Sequence, residues 1–419
     1  MTARVSVASS CARVRQAALL SPARGGAGRA RRAGRRAAVA SGGAGPAAPS
    51  PGEASTLRSL LSMEREELSA LVSQLDQQQY RIKQIETGMY KWKARSVTDI
   101  RGLPGAFKDD LRRHGVDVGR SAELERSVSG CGTTKLLLRQ ADGRVIETVG
   151  IPVFGRDAGA GAEGRRPKRL TVCVSSQVGC AMRCSFCATG KMGFSRNLLA
   201  GEIVDQVLHM EEAFQSRASH VVFMGMGEPL MNMKNVVRAV RDLNEKVGIG
   251  ERHMTISTVG VPNQLRRLAE LGLQVTLAVS LHAPTQRLRE ELIPAAKSYP
   301  LDALMGDCVA YFEATGRRVS FEYTLIGSVN DREEDARALS KLLGSYGLHG
   351  HVNLIPYNPI SDCDYERPSR NRVFRFMQTL HDGGTAASVR ETRGLEADAA
   401  CGQLRASFKG SRNDPERSG

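Results

Sequence analysis

The sequence predicts an α/β fold: a partial (β/α)6 barrel preceded by a small helical domain and a β-hairpin. Three observations lead there. Apolar strand-like runs alternate with helical segments from residue 171 onward, an Ala-Asp-Gly turn separates two β-prone runs at 134–149, and leucines recur at helical spacing before residue 80. Alternating strands and helices with buried strands make a parallel sheet covered by helices. Six repeats fall short of an eight-fold barrel, so the sheet stays open, with ligands expected at the carboxyl ends of its strands.

Residues 1–52 contain nine Arg, no Lys and no acidic residue, and are rich in Ala, Gly and Ser. Without an apolar core of about 7–15 residues this is the make-up of an organelle transit peptide, not of a secretory signal; a disordered basic tail is the plain alternative. The run from Arg31 to Ser41 resembles a stromal cleavage region, which favours the chloroplast over mitochondrion or cytoplasm. Residues 55–115 read as a helical accessory domain: Leu57, Leu60, Leu61, Leu68, Leu71 and Leu75, then Ile82, Ile85 and Tyr90, keep a helical pattern, and Pro104-Gly105 breaks it before a second short helix. Its basic residues are either contacts for RNA phosphates or a solvated face. A hairpin linker spans 130–153. The core domain covers 166–407, with strands at 171–176, 220–225, 254–259, 275–280, 320–326 and 351–356 and a last one near 387–392. Helices are expected near 199–215, 232–246, 262–271, 301–315, 331–346 and 368–382. The basic loop 155–169 reads as a solvated insertion, and 408–419 as a flexible tail.

The formal charge is +15, of which the leader's nine arginines leave +6 on the rest. That balance favours a polyanionic partner. No stretch reaches the roughly 20 apolar residues of a membrane span, and the chain reads as a monomer.

Nine cysteines occur, and four of them fall between 173 and 187. Clustering in a long chain points to metal or catalysis rather than to a disulfide framework. Cys180-Ala-Met-Arg-Cys184-Ser-Phe-Cys187 follows the first core strand, where this architecture places chemistry. Soft thiolates hold iron–sulfur clusters or zinc. Three thiolates leave one iron open to a small molecule, and the spacing resembles the radical S-adenosylmethionine (SAM) signature; a four-cysteine zinc site that recruits Cys173 is the alternative.

The flanks extend the resemblance. Ser175-Ser-Gln-Val-Gly179, Gly193-Phe-Ser-Arg-Asn197, Gly225-Met-Gly-Glu-Pro229, Ser280-Leu-His282-Ala-Pro, Asn353-Leu-Ile-Pro-Tyr-Asn358 and Thr392-Arg-Gly-Leu-Glu-Ala-Asp-Ala-Ala-Cys401 together closely resemble the RlmN/Cfr family of RNA adenine methyltransferases. The likeness implies a 4Fe–4S cluster on Cys180, Cys184 and Cys187 and two SAM molecules per turnover. The first would methylate Cys401. The second would be cleaved to a radical that takes a hydrogen from the S-methyl group, and the methylene would add to carbon 2 of adenine. That carbon lies between two ring nitrogens and is too electron-poor to attack a sulfonium methyl, hence the radical route. Cys173 would then resolve the adduct and leave a disulfide with Cys401. Glu147 would accept the proton, its apolar neighbours Val145 and Val149 raising its pKa. Gly227, Glu228, Ser257, Ser280, Leu281, His282 and Asn358 would hold SAM. Locally, Cys401 reads equally as a small buried hydrophobe, Cys173 as a strand core residue, Glu147 as an exposed hairpin Glu, and His282 as a structural histidine. The implied partners are large-subunit ribosomal RNA, with transfer RNA as a further substrate, and an electron donor such as flavodoxin or ferredoxin. The other readings are the sister carbon-8 methyltransferase and a non-catalytic iron–sulfur or zinc RNA-binding protein.

Overall fold

The computed structural model describes residues 58–155, 166–348, 350–361 and 363–405. The leader, most of the basic loop and the 408–419 tail lie outside the described residues.

One ten-stranded sheet organises the molecule. Three antiparallel strands come first: β1 (Ala122–Val128), β2 (Thr134–Arg139) and β3 (Val145–Val153). Seven parallel strands follow: β4 (Arg169–Cys173), β5 (His220–Phe223), β6 (Met254–Thr258), β7 (Thr276–Ser280), β8 (Ser320–Leu325), β9 (Val352–Pro356) and β10 (Ala387–Val389). Each strand lies beside its predecessor in the chain, so the order from edge to edge is β1 to β10. Such sequential winding, with helices on the crossovers, is what curls a parallel sheet toward a barrel.

The period-2 alternation of a strand sorts residues between the two faces. Outward-facing Val172, Val221, Ile256, Leu277, Val279, Phe321, Tyr323 and Leu354 are fully buried under the helices and belong to one apolar cluster. Inward-facing Thr171, Val222, Thr255, Ser257 and Ser280 are only half-buried. The branched side chains that fill a closed eight-stranded barrel are largely replaced by hydroxyls here. The lumen is therefore a chamber rather than a packed core.

Three segments differ from the sequence reading. Residues 58–63 are not α-helical. Arg58–Ser59 pairs with Val116–Asp117 and Leu60–Ser62 makes one 3-10 turn, which buries two consecutive leucines that one face of an α-helix would separate. β1 went unforeseen because its half-exposed residues (AELERSV) lack an apolar face. The helix Gln286–Leu292 was hidden by its charge, with only Leu288 and Leu292 apolar.

The N-terminal helices Arg65–Gln74, Arg81–Glu86 and Gly105–Arg113 join the barrel's apolar cluster through residues such as Leu68, Ile85 and Phe107. A buried polar knot also fastens this region. Arg120 pairs with Asp205 and, at 2.7 Å, with Glu212 on the helix Ala200–Ala213, while the Ser121 amide donates to Asp205 at 2.8 Å.

Candidate active site

The cysteine loop springs from the carboxyl end of β4. A short ribbon, Gln177–Gly179 against Phe194–Asn197, forms its base, and the Cys180 amide donates to the Gly193 carbonyl at 2.8 Å. The Ser185 amide donates to Leu292 O (2.9 Å) and the Cys187 amide to Cys184 O (3.2 Å). Cys180, Cys184 and Cys187 line one cavity, together with Gly227, Glu228, Ser257, Ser280, His282, Glu322 and Cys401. Burial pushes the Cys180 thiol up to about 12 and the Cys184 thiol well above its usual value, and neighbouring thiols raise both further. A metal centre displaces such protons outright. In donor chemistry the three thiols of one loop suit an iron–sulfur cluster, and the small and hydroxylic walls they face suit an organic cofactor beside it. Among the described residues no group of three or more His, Cys, Asp or Glu is arranged to hold a metal ion.

Cys173 does not join the loop cysteines. Buried at the end of β4, it interacts with Cys401 and Arg390, and burial pushes its thiol up to about 12. Cys401 is exposed to the interior space and lines both the cysteine cavity and the lumen. Burial of its sulfur raises its thiol pKa, and the Arg390 guanidinium opposes the shift. The disulfide expected between Cys173 and Cys401 is not formed: all eight described cysteines are free. Both thiols lie deep in the fold, where the protonated form is favoured, and attack on sulfur requires a thiolate.

The segment carrying Cys401 is stitched down at several points. Asn358 Nδ2 donates to Cys401 O (3.0 Å), the Ala188 amide to Gly402 O (2.8 Å), Thr189 Oγ1 to Leu404 O (2.6 Å) and Gln403 Nε2 to Pro359 O (2.9 Å). Gly402 and Leu404 line the cysteine cavity, while Gln403 and Arg405 line a separate cavity of about 670 Å³. Glu147 opens into that second cavity. It is 3 % exposed, with Lys135 Nζ 3.2 Å from Oε1. Burial raises its carboxyl pKa, against the pull of Lys135. The segment Cys401–Arg405 thus lies between the cavity of Glu147 and the cavity of the cysteine loop.

The cofactor residues expected from sequence sort into two kinds. Gly227, Glu228, Ser257, Ser280 and His282 reach the cavity. Gly227 has φ +106°, and a Cβ there would lie 2.6 Å from Gln177 Cβ, so only glycine fits. Glu228 is a strut as well: its two oxygens accept the Leu230 and Val259 amides, each at 2.9 Å. Ser257 and Ser280 touch through their hydroxyls at 3.3 Å. His282, at φ +60°, accepts the Thr324 amide on Nδ1 at 2.9 Å, and burial lowers its pKa to about 3, so the ring is neutral and structural. Leu281 points into the apolar core and Asn358 faces the lumen.

Three polar residues escaped sequence reasoning. Asn330 donates to the His282 and Thr324 carbonyls (2.9 and 2.7 Å) and so holds His282 in its left-handed conformation. Glu322 is 4 % exposed; one oxygen accepts from Asn353 at 2.8 Å and the other has no hydrogen-bond partner. Arg390 extends into the lumen beside Cys401, Glu322 and Cys173, with Met224 Sδ at 3.5 Å. Their neighbours come from distant strands, and no local motif announces them.

An open β/α barrel with three cysteines in the loop after its first parallel strand defines the class: a radical SAM enzyme, a superfamily built around a 4Fe–4S cluster and SAM. Residues 174–339 match the Radical SAM superfamily. A Nostoc punctiforme protein named "probable dual-specificity RNA methyltransferase RlmN" is 52% identical over 359 residues, covering 85% of this chain and 96% of its own. A Synechocystis sp. protein of the same name is 53% identical over 362 residues, covering 86% and 97%. The crystal structure of a radical SAM methyltransferase from Sphaerobacter thermophilus matches with a TM-score of 0.77 at 41% identity, covering 84% of this chain and 100% of that one. The chain belongs to the RlmN family of radical SAM RNA methyltransferases.

Proposed function

We propose that this enzyme methylates carbon 2 of an adenosine in large-subunit ribosomal RNA, and of transfer RNA as well, with Cys401 as the methyl carrier. The observation that carries the reading is the shared cavity: Cys401 faces the same space as Cys180, Cys184 and Cys187. Its relatives' names describe dual-specificity RNA methyltransferases, which supports two RNA substrates. The three loop thiols would hold the cluster, and Gly227, Glu228, Ser257, Ser280 and His282 would border SAM. Bound there, the cluster and SAM supply a methyl group and the one-electron chemistry that an electron-poor ring carbon needs.

The chain's own groups do the rest. Cys401 would receive the methyl group as a thioether, its thiol giving up a proton while the donor leaves as its demethylated thioether. Arg390 stabilises negative charge at Cys401 and Cys173, the second thiol of the pair. Asn358 and Thr189 fix the segment that carries Cys401, so its sulfur stays aimed at the reaction space. Glu147, with its raised pKa, accepts the proton that leaves the ring carbon. The leader's composition supports a plastid destination, and a small reduced protein would supply electrons.

The test is Cys401→Ala, reconstituted anaerobically. It should keep the brown colour of the cluster and lose RNA methylation entirely. Undiminished methylation by this variant would refute the carrier role.

A further inference from the structure

The lumen contains a feature the reaction does not use. A cavity of about 550 Å³ runs inside the barrel from Cys401, at the carboxyl ends of the strands, to Arg169, His220, Arg252 and His253 at their amino ends. Three of these side chains crowd together, the His220 and His253 rings 4.8 Å apart and Arg169 close enough to act on His220, and Arg252 lines the same end of the cavity. Among the described residues, neither Arg169 nor Arg252 has an ion-pair or side-chain hydrogen-bond partner. The cavity's one carboxylate, Glu391, is 76% exposed and taken by Arg393 at 2.9 Å. Two unpaired guanidinium groups beside an imidazole pair at the rim of a chamber call for an anion. Between this rim and Cys401 the walls are Thr171, Val222, Thr255 and Ile355, small or apolar surfaces suited to the faces of a flat ring. The volume falls within the range of small-molecule pockets, and chemistry on a base requires that it leave its stack.

We propose that RNA approaches from the amino-terminal end of the barrel strands, with a backbone phosphate seated on Arg169, Arg252 and the His220–His253 pair and the unstacked adenine threaded up the lumen to Cys401, the Cys401–Arg405 segment moving aside so that the ring also meets Glu147 in the adjoining cavity. The proposal rests on the RNA-methylation reading and adds the route and the phosphate site. The rim is a phosphate clamp, which carries affinity and salt dependence, and the lumen walls admit the base.

The test compares holoenzyme with the double variant Arg169→Ala/Arg252→Ala, using a fluorescent RNA stem-loop with unpaired adenosines across 50–200 mM salt. Each lost phosphate contact should flatten the slope of log affinity against log salt by about one. The two arginines hold one phosphate, so the double variant should bind tens-fold more weakly at low salt, with a slope shallower by about one. Arg169→Lys/Arg252→Lys should restore most of the binding. Arg287→Ala/Arg337→Ala, on outer helices, should match wild type. Unchanged affinity and slope in the alanine variant, while wild type binds and methylates the RNA, would overturn the route. Failure of wild type itself to bind or methylate RNA would instead sink the functional reading. A second variant, Thr255→Trp, plugs the lumen. It should abolish RNA methylation yet still accept a labelled methyl on Cys401 from SAM without RNA; full RNA turnover through a plugged lumen would also overturn the route.

Discussion

Glu147 is a buried carboxylate whose proposed role as proton acceptor uses that burial. An ionised carboxylate at 3 % exposure is poorly solvated, and Lys135 compensates only in part. Its folded pKa lies above the unfolded value, so the ionised group destabilises the fold at neutral pH. That penalty is complete above the folded pKa and fades as pH falls toward the ordinary glutamate value. Glu147→Gln should therefore raise the melting temperature at pH 7.5, with the gap to wild type closing by about pH 4.5, the ordinary glutamate value. The same variant should methylate RNA about 10²–10⁴-fold more slowly, the usual worth of a positioned proton acceptor. A melting curve at each pH and a single-turnover assay check the two halves. Legibility in the sequence followed distance along the chain. The three loop cysteines lie within eight residues and declare themselves, whereas Glu322, Arg390 and Asn330 gain meaning only when β8, the loop after it and the residues after β10 meet around the lumen.

At the scale of elements, two features decide how the site is held. The helix Ala200–Ala213 is tied to the N-terminal region by Asp205. Burial raises that carboxylate's pKa, but Arg120, His209 and Ser121 overcome it and hold the group well below the usual range. A depressed acid stabilises the fold above its unfolded pKa and loses that contribution as pH falls through the folded value. Arg120→Met should cost about 3–5 kcal/mol at neutral pH, because it strands a buried carboxylate. Denaturant titrations should show that cost shrinking below about pH 4, near the ordinary aspartate value, where Asp205 can protonate in the variant. The second feature is the turn after β5. Gly227→Ala forces a strained backbone against Gln177, and SAM affinity measured by calorimetry should fall at least tenfold while the sheet's circular dichroism persists. Most strands and helices were legible from alternation of apolar runs. Charged β1 and the charged helix Gln286–Leu292 were not, because their partners, rather than their own patterns, stabilise them.

The whole molecule is a sheet wound in chain order around a chamber, with the cysteine loop at one end and a basic rim at the other. Inward threonines and serines read as ordinary strand residues in the sequence, and only curvature makes them the wall of a cavity. That architecture accounts for an enzyme that must shelter reactive chemistry yet admit a base from a large polyanion. The central claim is that the cysteine loop and Cys401 serve one reaction, methyl transfer to carbon 2 of adenine. Its most direct test is mass spectrometry of nucleosides from large-subunit ribosomal RNA and transfer RNA after incubation with the reduced holoenzyme and SAM bearing a deuterated methyl group. The account predicts labelled 2-methyladenosine in both RNAs with wild type and none with Cys401→Ala. Labelled 8-methyladenosine, or no labelled adenosine at all from an enzyme with an intact cluster, would contradict it.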